Sequence, residues 1–333
     1  MKRHRTFLTI LCAIGLCGAV QGWSQDNVKL AQTGMQFLSV VSDARGSAMA
    51  GAMTALPMES ASLFYNPGTM AVTDRMLSLS ASYNKWIADI AHTTFSLSYR
   101  PANGDYGVIG VSGQFVDYGV LQGTVVSSAD KGYDDTGDLK PYAVALGVGY
   151  AKSLSESFSV GLHVKWVSQS LGSSILPASG GGTEVKNNHA TVLAFDFGTL
   201  FKTGFKSFAF GMSVRNFSGQ VKFQDESFPL PLTFAIGLSV DAWDFVQDKS
   251  VVRSVFVDID AIHNRDYREQ LFIGVDCRLL GVLALRGGYI GGSDEAGATM
   301  GFGVQKFGLE ADYAFTPFGV FDNVHRVTLR YSM

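Results

Sequence analysis

The sequence is short of cysteine, of charge and of long apolar runs, and each shortage removes a class of protein. Of three cysteines in 333 residues, Cys12 and Cys17 fall in an N-terminal stretch expected to be cleaved off, which leaves Cys277 alone and excludes an internal disulfide. Charged side chains make up 17%, against about 25% in an ordinary soluble domain. They gather in no basic block and the formal net charge is -3, so no nucleic acid is expected as a partner. His92, His163, His189, His263 and His325 lack the close spacings that build zinc sites, and neither a metal nor another cofactor is expected. No Gly-x-Ser-x-Gly elbow and no nucleotide-binding glycine loop occurs between a strand and a helix pattern. Asp258, Asp260 and His263 could imitate a catalytic set, but they read better as wall, and no enzyme is expected. After residue 25 no apolar run reaches the roughly 20 residues that a membrane-spanning helix needs.

What is present begins with export. Lys2, Arg3, His4 and Arg5 precede an apolar run from Phe7 to Val20, and small polar residues continue to Gln25; this is the pattern of a secretory signal peptide over residues 1–25. Leu16 stands just before Cys17, where a lipid-anchor signal wants a small residue.

Glycine is abundant at 38 residues and phenylalanine reaches 24. From about residue 76 onward hydrophobicity alternates with period two, which in a strand puts successive side chains on opposite faces. Leu77, Leu79, Ala81 and Tyr83 alternate with Ser78, Ser80 and Ser82; Phe158, Val160, Leu162, Val164 and Trp166 alternate with Ser159, Gly161, His163 and Lys165. A soluble β-sandwich would carry Lys, Glu, Asp and Thr on its polar face. Here that face is largely Gly, Ala and Ser, which suits the inside of a cylinder, while the aliphatic and aromatic face suits lipid. The fold class expected is all-β: a transmembrane antiparallel barrel of about 14 strands over residues 76–333, in the outer membrane. Connections alternate in length as such barrels require. Short ones include Leu279 to Gly281 and Lys306 to Gly308; Gln122 to Asp138, Gly172 to Lys186 and Phe217 to Pro231 are long and read as external loops.

Residues 26–75 break the rhythm. Small residues from Asp43 to Ala52 and the turn signal Asn66-Pro67-Gly68 suggest short helices forming a plug in the lumen. In the last third the inward parity becomes charged, at Asp258, Asp260, Asp276, Arg278, Arg286, Glu310, Asp312 and Arg330. The expected role is a lumenal ion-pair ladder that compensates buried charge and props the wall, with a pathway for charged ligands as the alternative. Trp86, Tyr118, Trp166 and Trp243 are expected in interfacial girdles.

Three stretches carry a family resemblance. They are Gly34 to Ala52, with Asp43-Ala44-Arg45, followed by Leu63 to Met70, with Asn66-Pro67; Arg215 to Gly219 leading to Pro229-Leu230-Pro231; and Leu285 to Tyr289, Asp312 to Phe315 and His325-Arg326. In order and spacing they resemble the PorV/PorQ outer-membrane proteins, relatives of the FadL-type fatty-acid channels, over nearly all of the chain after residue 25. The resemblance implies a FadL-like barrel with a short helical plug, in which Asp43, Arg45, Asn66 and Pro67 seat the plug. It also implies an accessory role in type IX protein secretion of the Bacteroidetes type, with outer-membrane lipid and translocon or cargo proteins as partners. The alternative is a FadL-like channel with a hydrophobic ligand in its lumen.

Overall fold

The computed structural model describes residues 33–333, apart from 129, 178–181, 224–225, 247–250, 294–296, 320 and 322. The expected signal peptide lies outside the described residues.

The alternating segments form strands β1 (Leu77–Lys85), β2 (Ala91–Tyr99), β3 (Val108–Asp117), β4 (Leu121–Val126), β5 (Tyr133–Leu139), β6 (Tyr142–Ser153), β7 (Phe158–Pro177), β8 (Thr183–Lys202) and β9 (Ala209–Ser218). They continue as β10 (Val221–Phe223), β11 (Glu226–Phe228), β12 (Thr233–Asp241), β13 (Val252–Asn264), β14 (Gln270–Leu279), β15 (Leu283–Gly291), β16 (Ala298–Lys306), β17 (Leu309–Thr316) and β18 (Val324–Ser332). All but β4, β5, β10 and β11 join one closed antiparallel barrel of fourteen strands, in which each strand pairs with its chain neighbours and β1 pairs with β18. Ser82 opposite Thr328 fixes the register of that closing pair. No helix among the described residues is long and apolar enough to cross a membrane; the chain crosses with strands.

Parity is strict where the sequence alternates. Ser78, Ser80, Ser82 and Asn84 of β1 point inward and are buried, while Leu79 and Tyr83 are exposed. Around the barrel Leu146, Val148, Phe197, Phe210, Ile236, Leu285, Phe302 and Leu329 are likewise exposed. A continuous apolar belt on a closed barrel is stable against lipid and unfavourable against water, at about 25 cal/mol per Å² of apolar surface. This is an outer-membrane barrel.

The two ends differ. One carries tight turns such as Leu280-Gly281 and Phe307-Gly308, all four residues at positive φ, as two-residue hairpins require. The other carries the long connections and is the external end. Two segments expected to be loops are instead raised hairpins: β4 pairs with β5, and β7 and β8 stay paired out to Pro177 and Thr183. A third, from Phe217 to Pro231, holds the small β10–β11 ribbon. β-branched runs such as Thr124-Val125-Val126 continue the pairing beyond the membrane belt.

Residues 33–73 lie within the barrel. Helix α1 (Ala44–Ala48) begins at Asp43, whose carboxylate caps it by accepting from Gly46 N, and it packs against β15, β16, β17 and β18. Of two 3-10 segments, Pro67–Val72 packs across the lumen against β6, β7, β8 and β9, and Glu59–Phe64 packs against β1, β2 and β3. The inner glycines are what let backbone approach backbone. A Cβ on Gly68 would stand 2.7 Å from the Gly198 carbonyl, and one on Gly288 would stand 2.6 Å from Ala50 N. Met49, Met53, Leu56, Met58, Ala61 and Tyr65 form an apolar cluster within the plug itself.

Adjacent positions on β15 test this parity. Gly288→Val forces a side chain into the plug backbone and is expected to destabilise the folded barrel by about 3 kcal/mol, the upper range for overpacking. Gly287, whose Cβ would meet nothing nearer than 3.8 Å, should accept valine within about 0.5 kcal/mol. Urea unfolding in lipid vesicles, followed by tryptophan fluorescence, measures both.

Candidate functional site

The charged inner wall of β14–β18 and the start of α1 form one network. Asp276 of β14 lies opposite Arg286 of β15, and the Arg286 Nε stands 3.4 Å from its carboxylate. Arg45 of the plug donates to the same carboxylate through Nε at 3.0 Å and Nη2 at 2.9 Å, and Arg278 Nε stands 3.8 Å away. Arg286 also reaches Glu310 at 2.7 Å and Asp312, both on β17. It crosses β16 to do so, where Gly303 keeps the way open: a Cβ there would stand 2.8 Å from Arg286 Nη1. Arg330 of β18 pairs with Asp312 and with Asp43 of the plug. Four arginines (45, 278, 286, 330) thus meet four carboxylates (43, 276, 310, 312), and the formal charges cancel. Burial of any one of them alone would cost several kcal/mol, so the network fixes α1 against the wall.

Two of the residues assigned to this ladder do not belong to it. Asp258 and Asp260 of β13 face inward and are fully buried, but neither forms an ion pair among the described residues. Their cross-strand neighbours are Ser239 and Gly237 on β12, and Gly274 opposite Asp258 on β14, so no cation faces them across the strand pairs. Asp260 instead accepts from Thr54 N at 2.8 Å, which anchors the middle of the plug. Asn66 and Pro67 act in a similar way. Asn66 donates from Nδ2 to Thr54 O at 2.7 Å and to Thr199 O of the wall at 2.9 Å, while its Oδ1 accepts from Gly68 N at 2.9 Å. Pro67 opens the 3-10 segment that follows.

A second cluster carried no motif in the sequence. His163 Nδ1 stands 3.0 Å from Asp196 Oδ2, and Ser112 Oγ stands 2.8 Å from His163 Nε2. Lys165 Nζ bonds Asp196 Oδ1 at 2.8 Å and Asn216 Oδ1 at 2.6 Å. The Ser-His-Asp line has the connectivity of a nucleophilic triad. Two facts argue for a structural role: Asp196 Oδ1 is held by Lys165 and by Asn216 N at 2.7 Å, and the adjoining cavity is only about 40 Å³. The cluster sits where the β8–β9 register slips between Phe195 and Phe197, and its side chains satisfy the backbone that the slip exposes. The signal for it was parity alone, since His163, Lys165 and Asp196 share the inner face with Gly and Ser.

A large space lies at the external end, between the plug and the long connections. It is a cavity of about 430 Å³ walled by Val40, Val41 and Tyr65 of the plug, by Ile262, Phe272 and Ile290 of the barrel, and by Trp86, Phe318 and Phe321 of the connections. Trp86, expected in a girdle, instead turns inward, with Phe318 edge-on at 4.9 Å and the Arg326 guanidinium 5.2 Å from its ring. Tyr118 is half-buried and bonded to Gln169 at 3.0 Å. Trp166 faces outward as a lipid-side residue. Trp86 departs because the β1–β2 connection folds back over the lumen, where Arg326, Phe318 and His92 receive it. His263, at the rim, is exposed and pairs with Glu269 at 3.1 Å, away from the buried aspartates.

The network between plug and wall is testable. Asp276→Asn leaves Arg45 and part of Arg286 uncompensated and is expected to cost about 3 kcal/mol or more. The double variant Arg45→Met/Asp276→Leu removes both charges and should recover at least half of that loss, read from urea midpoints of the reconstituted barrel.

No protein-family profile matches the chain, and no curated protein does so by sequence. Its fold is nonetheless shared with solved structures. The CymD monoaromatic hydrocarbon channel superposes with a TM-score of 0.57 at 12% identity, covering 88% of this chain and 97% of that one. The toluene transporter TodX of Pseudomonas putida gives 0.53 at 14% identity over 87% and 96%. A FadL homologue of Pseudomonas aeruginosa gives 0.55 at 12% over 87% and 98%. At such identities the likeness is one of architecture: the chain folds as a FadL-like outer-membrane barrel.

Proposed function

We propose that this barrel is an outer-membrane channel for hydrophobic small molecules, which enter the external cavity and pass the plug toward the periplasm. The observation that carries this is the cavity itself: about 430 Å³, with mostly apolar lining surface, at the external end of the barrel. Apolar cavities of this size with a few convergent polar groups are the usual form of a small-molecule site. The structural neighbours whose names state a hydrocarbon or toluene as cargo support the same reading. Two further features suit passage. A smaller cavity continues inward and shares Ser39, Val40, Val41, Tyr65 and Arg215 with the larger one. The β8–β9 slip beside it is a place where wall hydrogen bonding is already interrupted.

The secretion-accessory role implied by the resemblance to PorV and PorQ is the second reading. It is favoured by the raised β4–β5 hairpin, where Leu121, Val126 and Tyr133 are exposed and available to a partner protein.

One pair of variants separates the two. Ile290→Trp puts an indole into the cavity and should lower uptake of a hydrophobic tracer by deletion-strain cells at least about tenfold, as loss of a filled pocket implies. Removal of residues 122–138 should leave uptake intact. Loss of protein secretion on removing that hairpin, with uptake unaffected by Ile290→Trp, would favour the second reading.

A further inference from the structure

The external cavity is not electrically neutral. Arg326 is 3% exposed and spends its donors on uncharged acceptors, Nε on Val41 O at 2.8 Å and Nη1 on Thr316 Oγ1 at 3.0 Å. Arg215 donates from Nη1 to Phe64 O at 2.9 Å, and its buried Nε has no hydrogen-bond partner. Neither guanidinium forms an ion pair among the described residues. The nearby carboxylates are engaged elsewhere: Asp43 with Arg330, Asp196 with Lys165 and His163, and Asp260 with Thr54 N. At the rim, Asp266 accepts from Thr33 and from Gln36 Nε2 at 2.6 Å, and exposed Arg265 stands next to it in sequence.

Tyr65, which lines the same cavity, adds a donor without an acceptor. Tyr65 is 6% exposed and its hydroxyl has no hydrogen-bond partner. Space for that hydroxyl is built in, because a Cβ at Gly46 would collide with it. Burial, reinforced by Asp43, pushes the phenol well above its ordinary range, so it remains a donor at any physiological pH. A buried hydroxyl left unbonded costs about 1–3 kcal/mol, and a buried cation without a counter-ion costs more. Two guanidiniums without an ion pair and one unbonded hydroxyl, on residues that line one cavity, describe a place prepared for an anion.

The rest of the lining indicates what the anion is attached to. Trp86, Phe318 and Phe321 form a chain of rings with successive centroids 4.9 and 6.2 Å apart, and Phe272 lines the same cavity. Aromatic pairs add about 0.5–1.5 kcal/mol beyond area burial. We propose that Tyr65, Arg215 and Arg326 form an oxyanion subsite, and that the cavity takes monoaromatic carboxylates in preference to neutral aromatic hydrocarbons. The carboxylate supplies the missing acceptor and counter-ion, while its ring lies among Trp86, Phe272 and Phe318. This rests on the channel function proposed above and names the cargo class.

The test uses the full barrel in lipid nanodiscs, with para-propylbenzoate and propylbenzene as probes and binding followed by calorimetry. The carboxylate is expected to bind at least about tenfold more tightly, the value of one charge-assisted hydrogen bond. Tyr65→Phe removes only an oxygen that has no partner in the unliganded protein, so the fold is retained, and it should lower the carboxylate-to-hydrocarbon affinity ratio by about tenfold. Arg326→Gln should lower that ratio further. Equal binding of both probes, or a ratio unchanged in Tyr65→Phe, overturns the subsite and leaves the channel standing. Binding of neither probe overturns both.

Discussion

Hydrocarbon offers no partner to a backbone amide, and the rest of this structure follows from that constraint. Every N–H and C=O inside the bilayer must be bonded within the protein, which for strands means a cylinder with no free edge. The pairing of β1 with β18, from Ser78 opposite Ser332 to Lys85 opposite His325, removes the last edge. Once the cylinder is closed, the two-residue period of each strand leaves only two environments, lipid and lumen. Leucine, valine and phenylalanine can occupy the first, and the second must then be filled or solvated.

Filling is the work of residues 33–73, and it succeeds because the inner face is made of the smallest residues. Gly198 and Gly288 let plug backbone touch wall backbone at distances that a single methyl group would forbid. Where small residues give way to charged ones, the charges come in balanced numbers. The eight-membered network joining Asp43 and Arg45 to β14, β15, β17 and β18 holds one side of the plug. Asn66, bonded to Thr54 and Thr199, holds the other. Between these attachments the plug carries its own apolar cluster, so it behaves as a folded insert and not as a loose tether.

Charge balance is local, and its failure at the external end distinguishes that end. The ladder is neutral, and the His163–Asp196–Lys165 cluster is satisfied within itself, but Arg215 and Arg326, which line the external cavity with Tyr65, form no ion pair among the described residues. Buried cations without a counter-ion are costly, and their place in the lining of a large space is what the proposed ligand site rests on. The same cavity is lined by rings that the connections fold inward, so its chemistry arises from three separate parts of the chain: plug, wall and external connections.

The sequence alone determined the class of fold, the fourteen-strand closure, the length asymmetry of the two ends and the inward parity of the charged residues in the last third. Each of these follows from a local rule, because strand period, turn composition and the membrane's demand for one greasy face act over a few residues at a time. Tertiary structure decided which inward residues meet. Arg286 finds Asp312 only because Gly303 on the intervening strand is small, and Asp258 and Asp260 stay outside the network because the strands beside them present serine and glycine. Asp196 meets His163 and Asn216 only because the ladder slips at that point, and Trp86 turns inward only because its connection folds back over Arg326. Such pairings join residues far apart in the chain, and side-chain reach across a curved wall cannot be read from alternation along one strand.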